Sequence, residues 1–239
     1  MEQLFRQDIV IAPSLADGSG LLSYDKTFAL FMDAAAAHSE LLGTGVSAML
    51  ERGLFWLTVR SRARFLRRPR IGEAATLYTW PEQPGKVRVN RSYELRQGDE
   101  VLAAAKTEWT VLDLRTQRIS PLHDLFPPEL TYDQPSACPE RFADLTRDFA
   151  DAESRGSYRV RSTDIDLGGH MNNAAYLRAL LGCFSTAEVT EMAIREIDLV
   201  FRAPCFEGDE LALCQRRTEQ GLDLAFLREG KPAFLARLG

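Results

Sequence analysis

Apolar residues in this chain follow two periodicities, and both occur twice in the same order. Residues 27–37 are apolar nearly all round, and so are residues 174–184. A helix apolar on most faces is predicted to be buried rather than laid on a surface. Gly43 suits the end of the first helix, and Asn172 or Asn173 suits the start of the second. Behind each helix the period drops to two. Leu57, Val59, Ser61, Ala63 and Phe65 alternate with Thr58, Arg60, Arg62 and Arg64, and Ile197, Leu199 and Phe201 alternate with Asp198 and Arg202. Matching breaks follow, Arg68-Pro69-Arg70-Ile71-Gly72-Glu73 and Ala203-Pro204-Cys205-Phe206-Glu207-Gly208-Asp209. Each leads into a strand, at residues 75–80 and 210–214. Gln97-Gly98-Asp99 and Glu229-Gly230-Lys231 predict hairpin turns, with last strands over 101–112 and 233–238.

Each half therefore predicts one long helix and an antiparallel sheet of about five strands. A sheet must cover its apolar face, and wrapping it around the apolar helix does so. The expected fold class is α+β, built by internal duplication. Residues 1–122 form the first domain, 157–239 the second, and 123–156 a connector rich in proline and charge (Phe126-Pro127-Pro128-Glu129, Gln134-Pro135). A short helix is predicted within the connector, near residues 139–150.

Composition narrows the class without naming a function. The 239 residues allow one large domain or two smaller ones, and 45% hydrophobic with 26% charged residues is ordinary for a globular protein. No apolar run is long enough to span a bilayer, and no signal peptide is visible at the N-terminus. Cys138, Cys183, Cys205 and Cys214 are scattered without CxxC spacing, which predicts reduced thiols, a cytoplasmic location and no metal site. A net charge of −5 argues against nucleic acid as the main partner. No cofactor is implied.

The chemistry concentrates in Asp164-Ile165-Asp166-Leu167-Gly168-Gly169-His170-Met171-Asn172-Asn173-Ala174-Ala175-Tyr176, which holds one of only three histidines. A carboxylate and an imidazole beside main-chain amides at a helix start can activate water and hold an oxyanion. Asp166 is the candidate general base or nucleophile, and His170 the group that orients water or protonates the leaving group, with a packing or hydrogen-bonding role as its alternative. Main-chain N–H groups near Gly169 and His170 are candidates for the oxyanion site, and Gly168-Gly169 lets backbone approach a substrate closely. Asn172 and Asn173 read as caps and scaffold, and Tyr176 as core. The competing reading makes Asp166 a turn carboxylate bonding local N–H groups. Arg64, Arg67 and Arg68 belong to a basic stretch that is either a solvated face or a dock for an acidic partner. Phe55, Trp56 and Phe65 are candidates to line an apolar pocket, with plain core as the alternative.

Several pieces, in order, resemble the acyl-acyl carrier protein thioesterases of plants and bacteria. They are Asp33-Ala34-Ala35 with His38, Gly53-Leu54-Phe55-Trp56-Leu57-Thr58, Arg68-Pro69 with Gly72-Glu73, and Thr79-Trp80-Pro81 with Arg91. Trp109-Thr110-Val111-Leu112-Asp113 and the Asp164 to Tyr176 stretch complete the set. The resemblance implies a double hotdog and hydrolysis of the thioester between a fatty acyl chain and the phosphopantetheine arm of acyl carrier protein. It implies chemistry in the second half, at Asp166 and His170, and most of the acyl pocket in the first. Two family positions depart from the pattern: Gly168 replaces an asparagine, and Pro204, followed by Cys205, replaces a glutamate. By family position Cys205 is a further candidate nucleophile. Asp166-Leu167-Gly168-Gly169-His170 also resembles the single-hotdog thioesterases, in which an aspartate acts without that asparagine. Acyl-CoA hydrolysis and a degenerate acyl- or carrier-binding protein are the alternatives, and the Asp-to-His spacing disfavours a hotdog hydratase. Because the duplication supplies the paired-hotdog interface, a monomer or a homodimer is expected.

Overall fold

In the computed structural model, which describes residues 3–239, the chain divides into two compact units, Met1–Glu140 and Arg141–Gly239. The first opens with strand β1 (Phe5–Val10) and a 3-10 turn (Pro13–Leu15), and continues into helix α1 (Tyr24–Leu41) and short helix α2 (Val46–Glu51). Strands β2 (Leu54–Phe65), β3 (Ala74–Pro81), β4 (Val89–Gln97), β5 (Glu100–Asp113) and β6 (Arg118–Ser120) follow. They build an antiparallel sheet in the order β1-β3-β4-β5-β2, with β6 paired to β5.

The ends of α1 are fixed locally. Ser23 accepts the Lys26 N–H at its start. At its end Gly43 takes the left-handed conformation (φ +69°), so that its N–H reaches Glu40 O at 3.1 Å and the Thr44 N–H reaches Ser39 O at 2.9 Å. Tyr24, Thr27, Phe28, Phe31, Ala34, Ala35 and His38 form one buried stripe at helical spacing. Ala36, Ala37 and Leu41 lie exposed on the far side, so α1 is buried on one face, not on all. Alanine gives up little by facing water, which is why a nearly all-apolar helix accepts a solvent side.

The second unit repeats the plan. Strand β7 (Glu153–Arg159), a 3-10 turn (Ser162–Asp164), helix α3 (Asn173–Leu181) and short helix α4 (Thr186–Glu191) precede β8 (Glu196–Phe201), β9 (Glu210–Thr218), β10 (Gly221–Arg228) and β11 (Lys231–Leu238). The sheet order β7-β9-β10-β11-β8 matches the first unit strand for strand. α3 has nine residues where α1 has eighteen, shorter than its apolar run predicts. The chain leaves the helix at Gly182, and Ser185 with Glu188 forms a capping box that starts α4. Beneath α3, Tyr176 stacks on Phe234 at 4.9 Å, and Phe201 and Phe226 pack on the same ring.

The predicted helix near 139–150 does not form. The stretch runs without regular structure because long-range contacts claim it. Leu145 and Phe149 bury against Ala225 and Leu235, and the Ala143 N–H reaches Asp198 Oδ1 at 3.0 Å. Around the start of the connector, Leu122 and Leu125 join Met49, Val89 and Val111 in the first unit's core, and Trp80 Nε1 donates to Pro135 O at 3.1 Å. No helix among the described residues is long and apolar enough to cross a membrane.

Candidate active site

The loop between β7 and α3 is held at both ends. Its upstream anchor is Asp164, buried and accepting from the Tyr158 hydroxyl (2.7 Å), the Arg161 N–H (2.9 Å) and Arg178 Nη2 (2.5 Å). Burial pushes this carboxyl up, but the three donors outweigh it and hold it below the usual aspartate range. Its downstream anchor is Asn172, whose Oδ1 accepts the Ala174 N–H at 2.9 Å and whose N–H donates to Asp164 O at 2.8 Å. Ile165 and Met171 form an isolated antiparallel bridge that draws the two ends together.

Within that frame the chain makes a tight reversal. Asp166 N donates to His170 O and Gly169 N to Asp166 O, both at 3.0 Å. Gly169 sits at φ +75°, a conformation that L side chains rarely adopt. Asp166 Oδ1 accepts the Gly168 N–H at 2.8 Å and lies 3.8 Å from His170 Nδ1, with the two side chains 27% and 28% exposed. The pair is thus reachable from solvent but sheltered on most sides. Gly168 is what admits the imidazole: a Cβ there would lie 2.9 Å from His170 Nε2 and 3.1 Å from Asp166 Oδ1. Leu167, 81% exposed, projects at the tip, and Phe206 is exposed in the break after β8.

The other candidates fall in several places. Met171 N donates to Cys205 O at 2.7 Å, so the break after β8 is tied to the loop. Cys205 itself is fully buried, and burial pushes its thiol up, away from the reactive thiolate. Tyr176 packs in the core as expected, and its hydroxyl accepts the Cys205 N–H at 3.1 Å. Asn173 is the first residue of α3.

In the first unit, Trp56 lines a cavity of about 110 Å³ between α1, α2 and the sheet, with Ala35, Val46, Val89, Arg91 and Trp109. Phe55 and Phe65 do not line it; Phe65 packs edge-on against Tyr24. Each of the three arginines considered for docking has an acid partner. Arg64 pairs with Glu140 at 2.5 Å, Arg67 with Glu73 at 2.7 Å, and Arg68 with Asp17.

That last pair exposes a relation the sequence reading passed over. Asp17 begins a loop with the same hydrogen bonds as the Asp166 loop: Asp17 N to Leu21 O (2.8 Å), Gly20 N to Asp17 O (2.9 Å) and Ser19 N to Asp17 Oδ1 (2.9 Å). Gly20 shares the φ of +75°. The signal was present as an aspartate with glycine three residues on and a helix cap six residues on: Asp17, Gly20, Ser23 and Asp166, Gly169, Asn172.

Two family models match the chain: the acyl-ACP thioesterase N-terminal domain over residues 2–128 and the acyl-ACP thioesterase C-terminal domain over 148–229. Among curated proteins, the chloroplastic acyl-[acyl-carrier-protein] hydrolase FATB3 of Cuphea viscosissima is 22% identical over 228 residues, covering 84% of this chain and 55% of that protein. The chloroplastic oleoyl-acyl carrier protein thioesterase 1 of Arabidopsis thaliana is 23% identical over 174 residues, 68% of this chain and 48% of that one. The chain spans about half the length of these relatives. Among solved structures, the 12:0-ACP thioesterase of Umbellularia californica superposes with a TM-score of 0.83 at 18% identity, covering 100% of this chain and 97% of its own. An acyl-ACP thioesterase of Bacteroides thetaiotaomicron gives 0.82 at 19%, covering 99% and 97%.

Proposed function

Because the chain belongs to the acyl-ACP thioesterase family, we propose that it hydrolyses the thioester of a fatty acyl chain carried on the phosphopantetheine arm of acyl carrier protein. The observation that carries this reading is the half-sheltered Asp166 and His170 pair, 3.8 Å apart on a loop anchored at both ends. Asp166 takes a proton from water as the water oxygen attacks the thioester carbonyl; the C–S bond breaks, and that proton passes through His170 to the departing thiolate. If Asp166 attacks the carbonyl itself, the thiolate leaves as an acyl anhydride forms on the aspartate, and the thiolate takes its proton from a protonated His170. Water then opens the anhydride, releasing the fatty acid and leaving a proton on the imidazole. Gly169 and Asn172 act as scaffold, setting the turn and the start of α3, and the main chain there, with Asn173, offers N–H groups to the oxyanion.

We read the two units as a tandem hotdog, each sheet wrapped around its helix. Residues 1–122 supply the acyl cavity at Trp56, 123–156 connect, and 157–239 supply the chemistry. The four unpaired cysteines fit a reducing compartment such as the cytoplasm. Of the basic stretch, Arg64 and Arg67 keep exposed flanks suited to an acidic carrier, whereas Arg68 turns inward to Asp17. Burial and a raised thiol weigh against Cys205 as nucleophile.

A second reading, a family member that binds acyl chains or carrier without cleaving them, draws on Gly168 and Pro204 standing where the family has asparagine and glutamate. Wild type and Asp166→Ala, assayed on matched acyl-carrier and acyl-CoA thioesters, separate the readings. Hydrolysis by wild type far above the variant supports catalysis, and the preferred carrier identifies the partner. Equal, background rates leave binding alone. Reversing Arg64 and Arg67 to glutamate should raise KM for carrier-linked substrate and leave short thioester analogues unaffected.

A further inference from the structure

The cavity beside Trp56 is not a plain hydrocarbon slot. One wall carries Arg91, on β4, which is buried and, among the described residues that line the cavity, faces no acid. Its Nη1 donates to His38 Nδ1 at 3.0 Å and more loosely to Thr79 Oγ1 at 3.4 Å, and its Nη2 reaches Ser39 Oγ at 3.4 Å. A guanidinium has no lone pair to accept with, so His38 Nδ1 accepts and the ring's proton sits on Nε2. All three acceptors are therefore uncharged, and two of the contacts are long. Glu82, on the neighbouring turn, spends its oxygens on Ser92 (2.7 Å) and Asn90 (3.2 Å). Among the described residues, no carboxylate bonds Arg91. Burial pushes its guanidinium below the usual arginine range, yet arginine stays charged in proteins. The Trp109 indole lies on the same cavity, and its N–H is directed at the buried Tyr93 hydroxyl.

A buried cation without a counter-ion is costly beside an alkyl chain. That cost falls if the occupant brings an oxygen acceptor, and the charge is best matched by an anionic one. The geometry points to an acyl chain that carries an oxygen function away from its thioester, a terminal carboxylate best of all, as the ligand of this cavity, with Arg91 as the selecting residue. This rests on the reading of the cavity as the acyl site.

Trp56 and Trp109 line the cavity, so their fluorescence reports its filling. The probes are methyl octanoate, methyl 8-hydroxyoctanoate and the monomethyl ester of octanedioic acid, whose esters mask the head carboxylate. Wild type should bind the monoacid at least about tenfold more tightly than the plain ester, with the hydroxy ester between them. Arg91→Met should abolish that preference while still binding the plain ester. Equal or tighter binding of methyl octanoate by wild type overturns the inference and leaves the acyl cavity standing. If no probe changes the fluorescence, the acyl reading of the cavity falls with it. A preference that survives in Arg91→Met removes Arg91 from the role. The wild-type comparison alone decides the ligand class, even if the variant fails to fold.

Discussion

The Asp17 and Asp166 loops have the same backbone and opposite fates. Both reverse around a glycine at φ +75°, and both fold the aspartate oxygen back onto an N–H two residues on. In the first unit every remaining valence is filled. Ser19 Oγ donates to Asp17 Oδ1 at 2.5 Å, and Arg68 pairs with Asp17 Oδ2, donates to Leu22 O at 3.2 Å and lies over the Tyr24 ring. In the second unit, Gly168 stands where Ser19 stands. Pro204 stands where Arg68 stands, because Leu22 N reaches Pro69 O and Met171 N reaches Cys205 O. Asp166 is left with a single main-chain donor and an imidazole at 3.8 Å. The fold provides the same turn twice, and two side-chain differences decide whether its carboxylate is paired with an arginine or left open beside an imidazole.

Exchanging the two roles tests that comparison, and the largest effect is expected at Asp166, the proposed reagent. Asp166→Asn should lower kcat by about 10²–10⁴-fold on acyl thioesters with little loss of stability, whereas Asp17→Asn should leave kcat within about threefold. A comparable loss of rate from both substitutions would end the distinction. Next in size is Gly168→Ser, which gives the second loop the hydroxyl of the first. It crowds His170 Nε2, which would lie 2.9 Å from the new Cβ, and offers Asp166 a competing donor. Activity should fall about tenfold to a hundredfold, with the melting temperature nearly unchanged. Unchanged turnover would show that the open space over Gly168 is irrelevant.

The structural copy should respond in stability instead. Asp17→Asn removes a charge-assisted pair with a mostly buried arginine and should cost about 1–3 kcal/mol in denaturant unfolding. Asp164→Asn loses one oxygen acceptor among three donors and should cost about 1–2 kcal/mol, with a smaller fall in rate as the loop loosens. The smallest effect is in pH. Burial raises the Asp17 carboxyl, but Ser19 and Arg68 more than offset it and leave it lowered. A carboxyl lowered in the folded state stabilises fully above its unfolded value, near 4, and loses that contribution as pH falls toward its folded value. Wild type should therefore lose more stability between pH ~5 and ~3 than Asp17→Asn does. Parallel curves would mean that Arg68 does not hold the carboxylate.

Much of the molecule was legible in the sequence because the signals are local. Period-two alternation marked β2 and β8, the matching breaks after them led to β3 and β9, and glycine-centred turns marked both hairpins and the last strands β5 and β11. Strands β1 and β7 escaped notice because they sit at sheet edges and are mostly polar (Phe-Arg-Gln-Asp-Ile-Val and Glu-Ser-Arg-Gly-Ser-Tyr-Arg). With one ladder neighbour and a solvated face, an edge strand needs no apolar alternation. The helix near 139–150 failed for the opposite reason: its local propensity lost to burial of Leu145 and Phe149. In the candidate site, Asp166, His170 and the Asn172 cap stood within seven residues and could be read together. Only Trp56 of the three aromatic candidates reached the cavity, since alternation tells which face a strand residue takes but not what lies above it.

The chain by itself determined the two-fold repeat, the elements of each half and the place where a carboxylate and an imidazole meet, because each depends on residues a few positions apart. Tertiary structure decided which aspartate is neutralised, where Arg68 goes and what charge lines the cavity. Those outcomes depend on partners far apart in sequence, 51 residues for Asp17 and Arg68 and 53 for His38 and Arg91, and no local pattern encodes a contact that only the folded sheet brings within 4 Å.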